Sequence, residues 1–272
     1  MSSSLEDFVN KYFIEKAELF RIIMDSGIMV ERARKLAKYI AKQLVLLGID
    51  SGVLLDVGCG TGRVALALAE IGYRVVGVDI SPEFIEVARR RAKDRDLGDK
   101  AEFILCDARN LLSCLGNRRF DAALFVWSSV IGYYDEDTDA AVLRQVRELV
   151  RNGGALLFID FVNRDYIAIA SAIFGARPAV YDYGDHVVVE SIIFNPVLGE
   201  VLIRQLFYRK SGPDLLYVGD SRFKMRVYSI SELVKLARRS GWCLNRVLRD
   251  PGGEPGYSML KPLNLVFTPC RE

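Results

Sequence analysis

Three carboxylates, Asp56, Asp79 and Asp107, each follow a short apolar run, and the first is followed by alternate glycines at 58, 60 and 62. Acids so placed can accept hydrogen bonds from sugar hydroxyls or amines, and the glycines let a backbone turn tightly against a ligand. Val53, Leu54, Leu55 and Val57 read as a buried parallel strand, and a helix starting after Thr61 would present unpaired N–H groups to that ligand. A plain strand-to-helix turn would carry the same glycines. Asp79 argues for more, because it ends the strand pattern at 73–80, about 20 residues further on, where a ribose-binding acid belongs. A dinucleotide turn would have its last glycine at the sixth position from Gly58, which is Arg63. Asp56, just ahead of the glycines, suits a cationic ligand better than a pyrophosphate. For proton transfer the sequence offers His186, the only histidine, and the tyrosines Tyr133 and Tyr228. A lone histidine at a strand start is more often structural, so the catalytic group stays unassigned.

S-adenosylmethionine carries both a sulfonium and an ammonium. Asp56-Val57-Gly58-Cys59-Gly60-Thr61-Gly62 resembles the first motif of the class I S-adenosylmethionine-dependent methyltransferases. The resemblance runs on through Asp79, through Phe103-Ile104-Leu105-Cys106-Asp107-Ala108, through a fourth strand pattern at 120–125, and through a helix end, Asn152-Gly153-Gly154 turn and fifth strand at 149–159. It implies a doubly wound, mostly parallel seven-stranded α/β sheet. S-adenosylmethionine would be the donor and S-adenosylhomocysteine the product. Asp79 would hold the ribose hydroxyls, Asp107 and the Ala108 backbone the adenine amine, and Ile80 the adenine face. Gly58 and Gly60 would line the methionine portion, with Asp56, Cys59 and Trp127 completing the wall.

Methyl transfer from a sulfonium is an in-line displacement that mainly requires an aligned, desolvated acceptor. On the acceptor side stand Ser128, Tyr133, Tyr134, Asn163, Arg164, Arg226 and Tyr228, where an arginine would suit a carboxylate or phosphate. The segment after the fourth strand lacks the Asn/Asp-Pro-Pro-Tyr pattern of enzymes acting on base amines, and neither Cys106 nor Cys114 has a Pro-Cys context. No clustering of His, Asp and Glu suggests a metal. The expected reaction is methylation at oxygen or nitrogen of a small-molecule acceptor. RNA or protein methylation, which a basic rim near Arg118 and Arg119 would favour, and a non-catalytic cofactor-binding module stay open.

The 272 residues suit one elaborated domain, and 37 Lys plus Arg against 35 Asp plus Glu give a net charge of +2, too weak a field to argue for nucleic acid or an anionic membrane. Cys59, Cys106, Cys114, Cys243 and Cys270 are odd in number and widely spaced, and read as reduced thiols. No signal pattern is seen, and the most apolar segment, 167–176, is too short to span a bilayer, so a cytoplasmic protein is expected.

Four segments are expected. Residues 1–50 form a helical cap over the cofactor mouth, with helical patterns at 5–25 and 28–47. Its Phe8, Tyr12, Phe13 and Phe20 serve packing, with Tyr12 or Phe13 the exceptions that would reach a ligand. Residues 51–160 form the cofactor-binding core, in which Ser81-Pro82 starts a helix and the basic run at 89–95 is its solvated end. Residues 161–228 hold an inserted antiparallel sheet, with strands at 186–194, 201–209 and 223–228, roofing the acceptor site or joining two copies as a homodimer. Residues 229–272 supply the last helix and closing strands.

Overall fold

A computed structural model describes residues 5–270, so the outermost positions of the first and last segments, 1–4 and 271–272, lie outside the described residues. The strands are β1 (Val53–Val57), β2 (Arg74–Asp79), β3 (Ala101–Leu105), β4 (Phe120–Val126) and β5 (Val150–Phe161), then β6 (Ala179–Asp182), β7 (His186–Asn195), β8 (Glu200–Ser211) and β9 (Asp214–Arg226), and finally β10 (Trp242–Leu248) and β11 (Leu263–Pro269). Before β1 lie α1 (Leu5–Asn10), a π-helical turn (Lys11–Glu15), α2 (Ala17–Met24) and α3 (Gly27–Val45). After it come α4 (Arg63–Ile71), α5 (Pro82–Asp94), α6 (Leu111–Leu115), α7 (Glu136–Leu149), α8 (Arg164–Phe174) and α9 (Ile230–Arg239).

Seven strands form one sheet in the order β10-β11-β5-β4-β1-β2-β3, the doubly wound, mostly parallel sheet expected, with β11 antiparallel to both neighbours. Leu54 and Leu55 in β1 are both fully buried, one in each of the two cores. That is why β1 reads as a continuous apolar run. Leu36, Leu66 and Ile85 carry α3, α4 and α5 onto one face, and Leu111, Leu143 and Leu236 carry α6, α7 and α9 onto the other. Each such side chain contributes about 1.5–3 kcal/mol of burial. Ser81 caps α5 by accepting from the Phe84 N–H, with Pro82 in the first turn, and Ser229 and Glu232 form a capping box on α9. The strand order reverses at β1, which pairs with β2 on one side and β4 on the other. The crevice beyond the carboxyl ends of β1, β2 and β4 is where such sheets take ligands.

The inserted sheet has four strands, in the order β6-β7-β8-β9. The sequence signalled three of them. All four residues of β6 are exposed, so no apolar alternation marks that strand. The sheet was expected to roof the acceptor site directly, but its inner face packs on the N-terminal helices: Phe223 and Met225 meet Tyr12 and Phe13, while Val188 and Phe207 meet Leu19 and Ile23. A buried polar chain fastens the two layers. The Tyr12 hydroxyl donates to Gln205 Oε1 (2.7 Å), Ser221 Oγ donates to the same oxygen (3.0 Å), and Gln205 Nε2 donates to Glu190 (2.7 Å).

The cysteines depart from the reduced-thiol expectation. Cys106 pairs with Cys114 and Cys243 with Cys270, leaving Cys59 free. The first pair brackets the short turn from β3 into α6, and the second is brought together by the antiparallel β10–β11 register, a proximity that sequence spacing does not reveal. No described helix is long and apolar enough to cross a membrane.

Candidate functional site

After Val57 the chain turns through the glycines into α4, and the N–H groups of Gly58 and Cys59 both donate to the Val78 carbonyl oxygen, tying the turn to β2. A Cβ on Gly58 would lie 2.6 Å from the Ser129 Cβ, so close packing requires glycine there. Gly60 differs. Its φ is +55° and a Cβ would meet no atom within 4 Å, so this stretch of backbone faces open space. Asp79, at the end of β2, accepts from the Gly60 N–H (2.8 Å) and the Ser81 N–H (2.9 Å), fixing the turn and the start of α5 together. Burial pushes its carboxyl up to about 6, against those N–H groups. Asp56 is buried, and its carboxylate accepts no hydrogen bond from any described residue. Burial, then the charge of Asp79, push it up to about 7 against the pull of Arg63. Burial also raises the Cys59 thiol well above its usual value.

These groups floor a cavity whose wall holds Asp56, Gly58, Cys59, Gly60, Asp79, Ile80, Asp107, Ala108 and Trp127 together. Asp107 caps the short turn after β3, and its carboxylate is already held by the guanidinium and backbone N–H of Arg109.

The roof comes from elsewhere in the chain. Val9 of α1, Phe13 of the π-helical turn, and Phe20 and Met24 of α2 face the cavity, joined by Phe84 of α5. A π-helical turn shifts side-chain direction within a helix and recurs at functional sites. Asp25, capping α2, latches the roof to the floor by accepting from Thr61 Oγ1 (3.1 Å) and pairing with Arg91 (2.9 Å) and Arg21 (3.0 Å). Arg91, read from sequence as part of a solvated helix end, therefore turns inward, whereas Arg89 stays exposed while donating to the Phe103 carbonyl oxygen.

The segment after β4 is strained. Trp127, Ser128 and Val130 have φ of +63°, +53° and +65°, each costing on the order of 1–3 kcal/mol. Its surroundings hold it in place. Ser128 Oγ accepts from the Val162 N–H, Ser129 Oγ donates to the Val57 carbonyl oxygen, and the Gly132 N–H donates to Asp139, which also accepts from the Tyr228 hydroxyl (2.6 Å). The loop thereby delivers Tyr133 and Tyr134 to the cavity. The Tyr133 ring stacks on Phe13 (centroids 5.3 Å apart), and its hydroxyl bonds to no described residue. Burial raises both tyrosines, Tyr134 to about 12, so both hydroxyls keep their protons at neutral pH.

The other acceptor-side candidates do not line the cavity. Ser128 and Tyr228 are taken up by the bonds above, and Asn163 caps α8 while donating to the Lys261 carbonyl oxygen (3.0 Å). Arg164 pairs with Glu232 and Arg226 with Glu136, so neither arginine offers a free charge for an anionic acceptor. His186 opens β7 on the inserted sheet, away from the wall. Arg118, on the expected basic rim, is bound by both oxygens of Glu102. Sequence reasoning missed Val9, Phe20, Met24, Thr61, Arg63 and Phe84. The aromatic spacing at 8–20 was a signal for Phe20, and Arg63 stood beside the glycines; nothing marked Met24.

Residues 54–154 match a family model described as a methyltransferase domain. They are a methyltransferase domain. The chain carrying this domain is 37% identical over 114 residues to Methyltransferase GfsG of Streptomyces halstedii, covering 41% of the chain and 38% of that protein. It is 31% identical over 140 residues to a ubiquinone biosynthesis O-methyltransferase of Coxiella burnetii (strain Dugway 5J108-111), covering 52% and 55%. The matches thus span about two fifths to a little over half of these curated relatives. A solved S-adenosylmethionine-dependent methyltransferase from Clostridium acetobutylicum ATCC 824 superposes with a TM-score of 0.76 at 19% identity, covering 93% of this chain and 98% of the other. CalS10 of Micromonospora echinaspora, an amino pentose methyltransferase, superposes with a TM-score of 0.65 at 16% identity, covering 88% and 92%. Around the methyltransferase domain the chain has the class I methyltransferase fold, with a separate four-stranded antiparallel sheet.

Proposed function

We propose that the protein transfers a methyl group from S-adenosylmethionine to oxygen or nitrogen of a small-molecule acceptor. The observation that carries this reading is a single cavity, at the switch point of the sheet, holding a buried carboxylate without a hydrogen-bond donor, an outward-facing Gly60 and a strand-end acid at Asp79. These fit the cationic amino-acid end, the close backbone approach and the ribose hydroxyls of the donor. When bound, the donor supplies an activated methyl on a sulfonium. The chain's own part is to hold and align. Asp79 and Asp56 fix the donor, and Phe13, Phe20 and Phe84 exclude water above it. Tyr133 offers a protonated hydroxyl with no protein partner, suited to orienting the acceptor atom rather than removing its proton.

The acceptor side of the wall is apolar and aromatic, and the two arginines that suggested an anionic substrate are paired elsewhere, which supports a neutral or amine-bearing acceptor. The relatives named above for an O-methyltransferase of ubiquinone biosynthesis and an amino pentose methyltransferase accord with a small molecule. A cytoplasmic location belongs to this reading. So does a homodimer through the inserted sheet, supported by Ile173, Phe174, Val180 and Tyr217 exposed there and on α8. Incubation with methyl-labelled donor and, separately, a metabolite extract, bulk tRNA and lysate protein tests the reading. Label is expected in the small-molecule fraction; label only in RNA or protein contradicts it, and absence of turnover in the presence of donor binding favours a non-catalytic module.

A further inference from the structure

Glu190, half-buried on β7, carries a charge that no described cation balances. On the same sheet Asp182 pairs with Lys210 and Glu200 with Lys224. The residues two before and two after it, Val188 and Ile192, share its face and pack into the apolar clusters around the N-terminal helices, so packing alone does not call for an acid there. Its one hydrogen-bond partner is uncharged. Gln205 Nε2 donates to one Glu190 oxygen (2.7 Å), and because the Tyr12 and Ser221 hydroxyls both donate to Gln205 Oε1, that amide is fixed with its nitrogen toward the carboxylate. The second Glu190 oxygen bonds to no described residue. Burial raises the carboxyl above its usual range against the single bond from Gln205. An anion held in this way is costly unless a cation joins it.

Tyrosines surround this carboxylate. Tyr12 of the π-helical turn, Tyr181 of β6 and Tyr183 of the turn into β7 all feel its charge, and the last two rings lie 6.3 Å apart with hydroxyls that bond to no described residue. Tyr181 stands opposite Val188 in the β6–β7 register and so shares the face of Glu190. The group adjoins the donor cavity. Tyr12 also feels the charge of Tyr133, and Tyr183 packs on the same apolar cluster as Trp127, while Tyr133 and Trp127 both line the cavity wall. Arg32, whose guanidinium lies 5.9 Å from the Trp127 ring centre, is taken up by Asp160. A carboxylate flanked by aromatic rings favours an ammonium, through charge-assisted hydrogen bonding and through the ring faces.

We propose that Glu190 receives an ammonium group of the methyl acceptor beside Tyr181 and Tyr183. This rests on the reading of the protein as a small-molecule methyltransferase, and it narrows the acceptor to amine-bearing molecules. Glu190 lies outside the cavity wall, and an ammonium has no free electron pair to attack a sulfonium. The amine held by Glu190 is therefore a handle, and the methylated atom is a second group that reaches the donor past Tyr133 and Trp127.

The test is equilibrium titration of the whole chain, near neutral pH and saturated with S-adenosylhomocysteine, with phenethylamine and with phenethyl alcohol, on wild type and Glu190→Gln, with thermal melts to confirm folding. Wild type should bind the amine about tenfold more tightly than the alcohol, as expected for one charge-assisted contact. Glu190→Gln keeps an oxygen to accept from Gln205, so it should melt near wild type and bind the alcohol unchanged, with its preference for the amine reduced to about twofold or less. Should Glu190→Gln not fold, Glu190→Asp replaces it: its shorter side chain withdraws the carboxylate, and the preference should fall. Equal wild-type affinities for the two probes, or binding of neither, overturn the proposal. An unchanged preference in the folded variant overturns the Glu190 assignment alone. Failure of wild type to bind S-adenosylhomocysteine is a separate result, which overturns the donor reading and with it the role of any bound amine as a methyl acceptor.

Discussion

The floor and the roof of the cavity are built on opposite principles. The floor gathers backbone and carboxylates from the ends of adjacent parallel strands, each set by a motif a few residues long, and Asp79 alone fixes both the glycine turn and the next helix. The roof is assembled from α1, the π-helical turn and α2, braced from behind by a sheet some 200 residues further along the chain through contacts such as Tyr12 to Gln205. The floor can therefore keep one ligand while the roof varies, because roof side chains depend on packing partners rather than on a shared backbone turn.

Breaking the floor should have the largest effect. Asp79→Ala removes the acceptor of two backbone N–H groups and the expected ribose partner, and titration with S-adenosylhomocysteine should show affinity falling about tenfold to a hundredfold. Breaking the roof should separate acceptor from donor. Tyr133→Phe deletes a hydroxyl with no protein partner, so the melting temperature and donor affinity should stay near wild type while kcat/KM falls about threefold to tenfold.

Acidity gives a third contrast. Burial raises Asp56 to about 7, Asp79 to about 6 and Asp139 to about 7, so between about pH 4, where the unfolded carboxyls titrate, and pH 7 the folded ligand-free protein binds more protons than the unfolded chain. Its stability should fall as pH rises through that window. Melts from pH 5 to 7.5 should show this decline, with a shallower slope in Asp56→Asn and in the presence of S-adenosylmethionine, whose charge favours the ionised carboxylate. The smallest effects belong to residues outside the cavity. Arg226→Ala removes a partly exposed ion pair and should cost about 1 kcal/mol or less in a denaturant melt, and His186→Ala should leave turnover unchanged across pH.

The same contrast explains what the sequence could say. Asp56, Asp79 and Asp107 are legible because a strand end and a turn place them within a few residues of their glycines or apolar runs; the doubly wound parallel sheet follows from those repeats, and its seven strands from the family resemblance they carry. Arg164, Arg226, Asn163 and Tyr228 pointed toward the acceptor by position along the chain, yet their side chains are spent on Glu232, Glu136, Lys261 and Asp139. Which partner an arginine finds is a three-dimensional fact. The Cys243–Cys270 bridge depends likewise on the pairing of β10 with β11, and β6 carries no apolar alternation to read.

A crystal structure with S-adenosylhomocysteine tests the account most directly. It should show the ribose hydroxyls on Asp79, the amino-acid end beside Asp56 and Gly60, and Phe13 and Tyr133 over the sulfur with the inserted sheet behind them. A ligand bound elsewhere, or one whose ribose leaves Asp79 untouched, would contradict it.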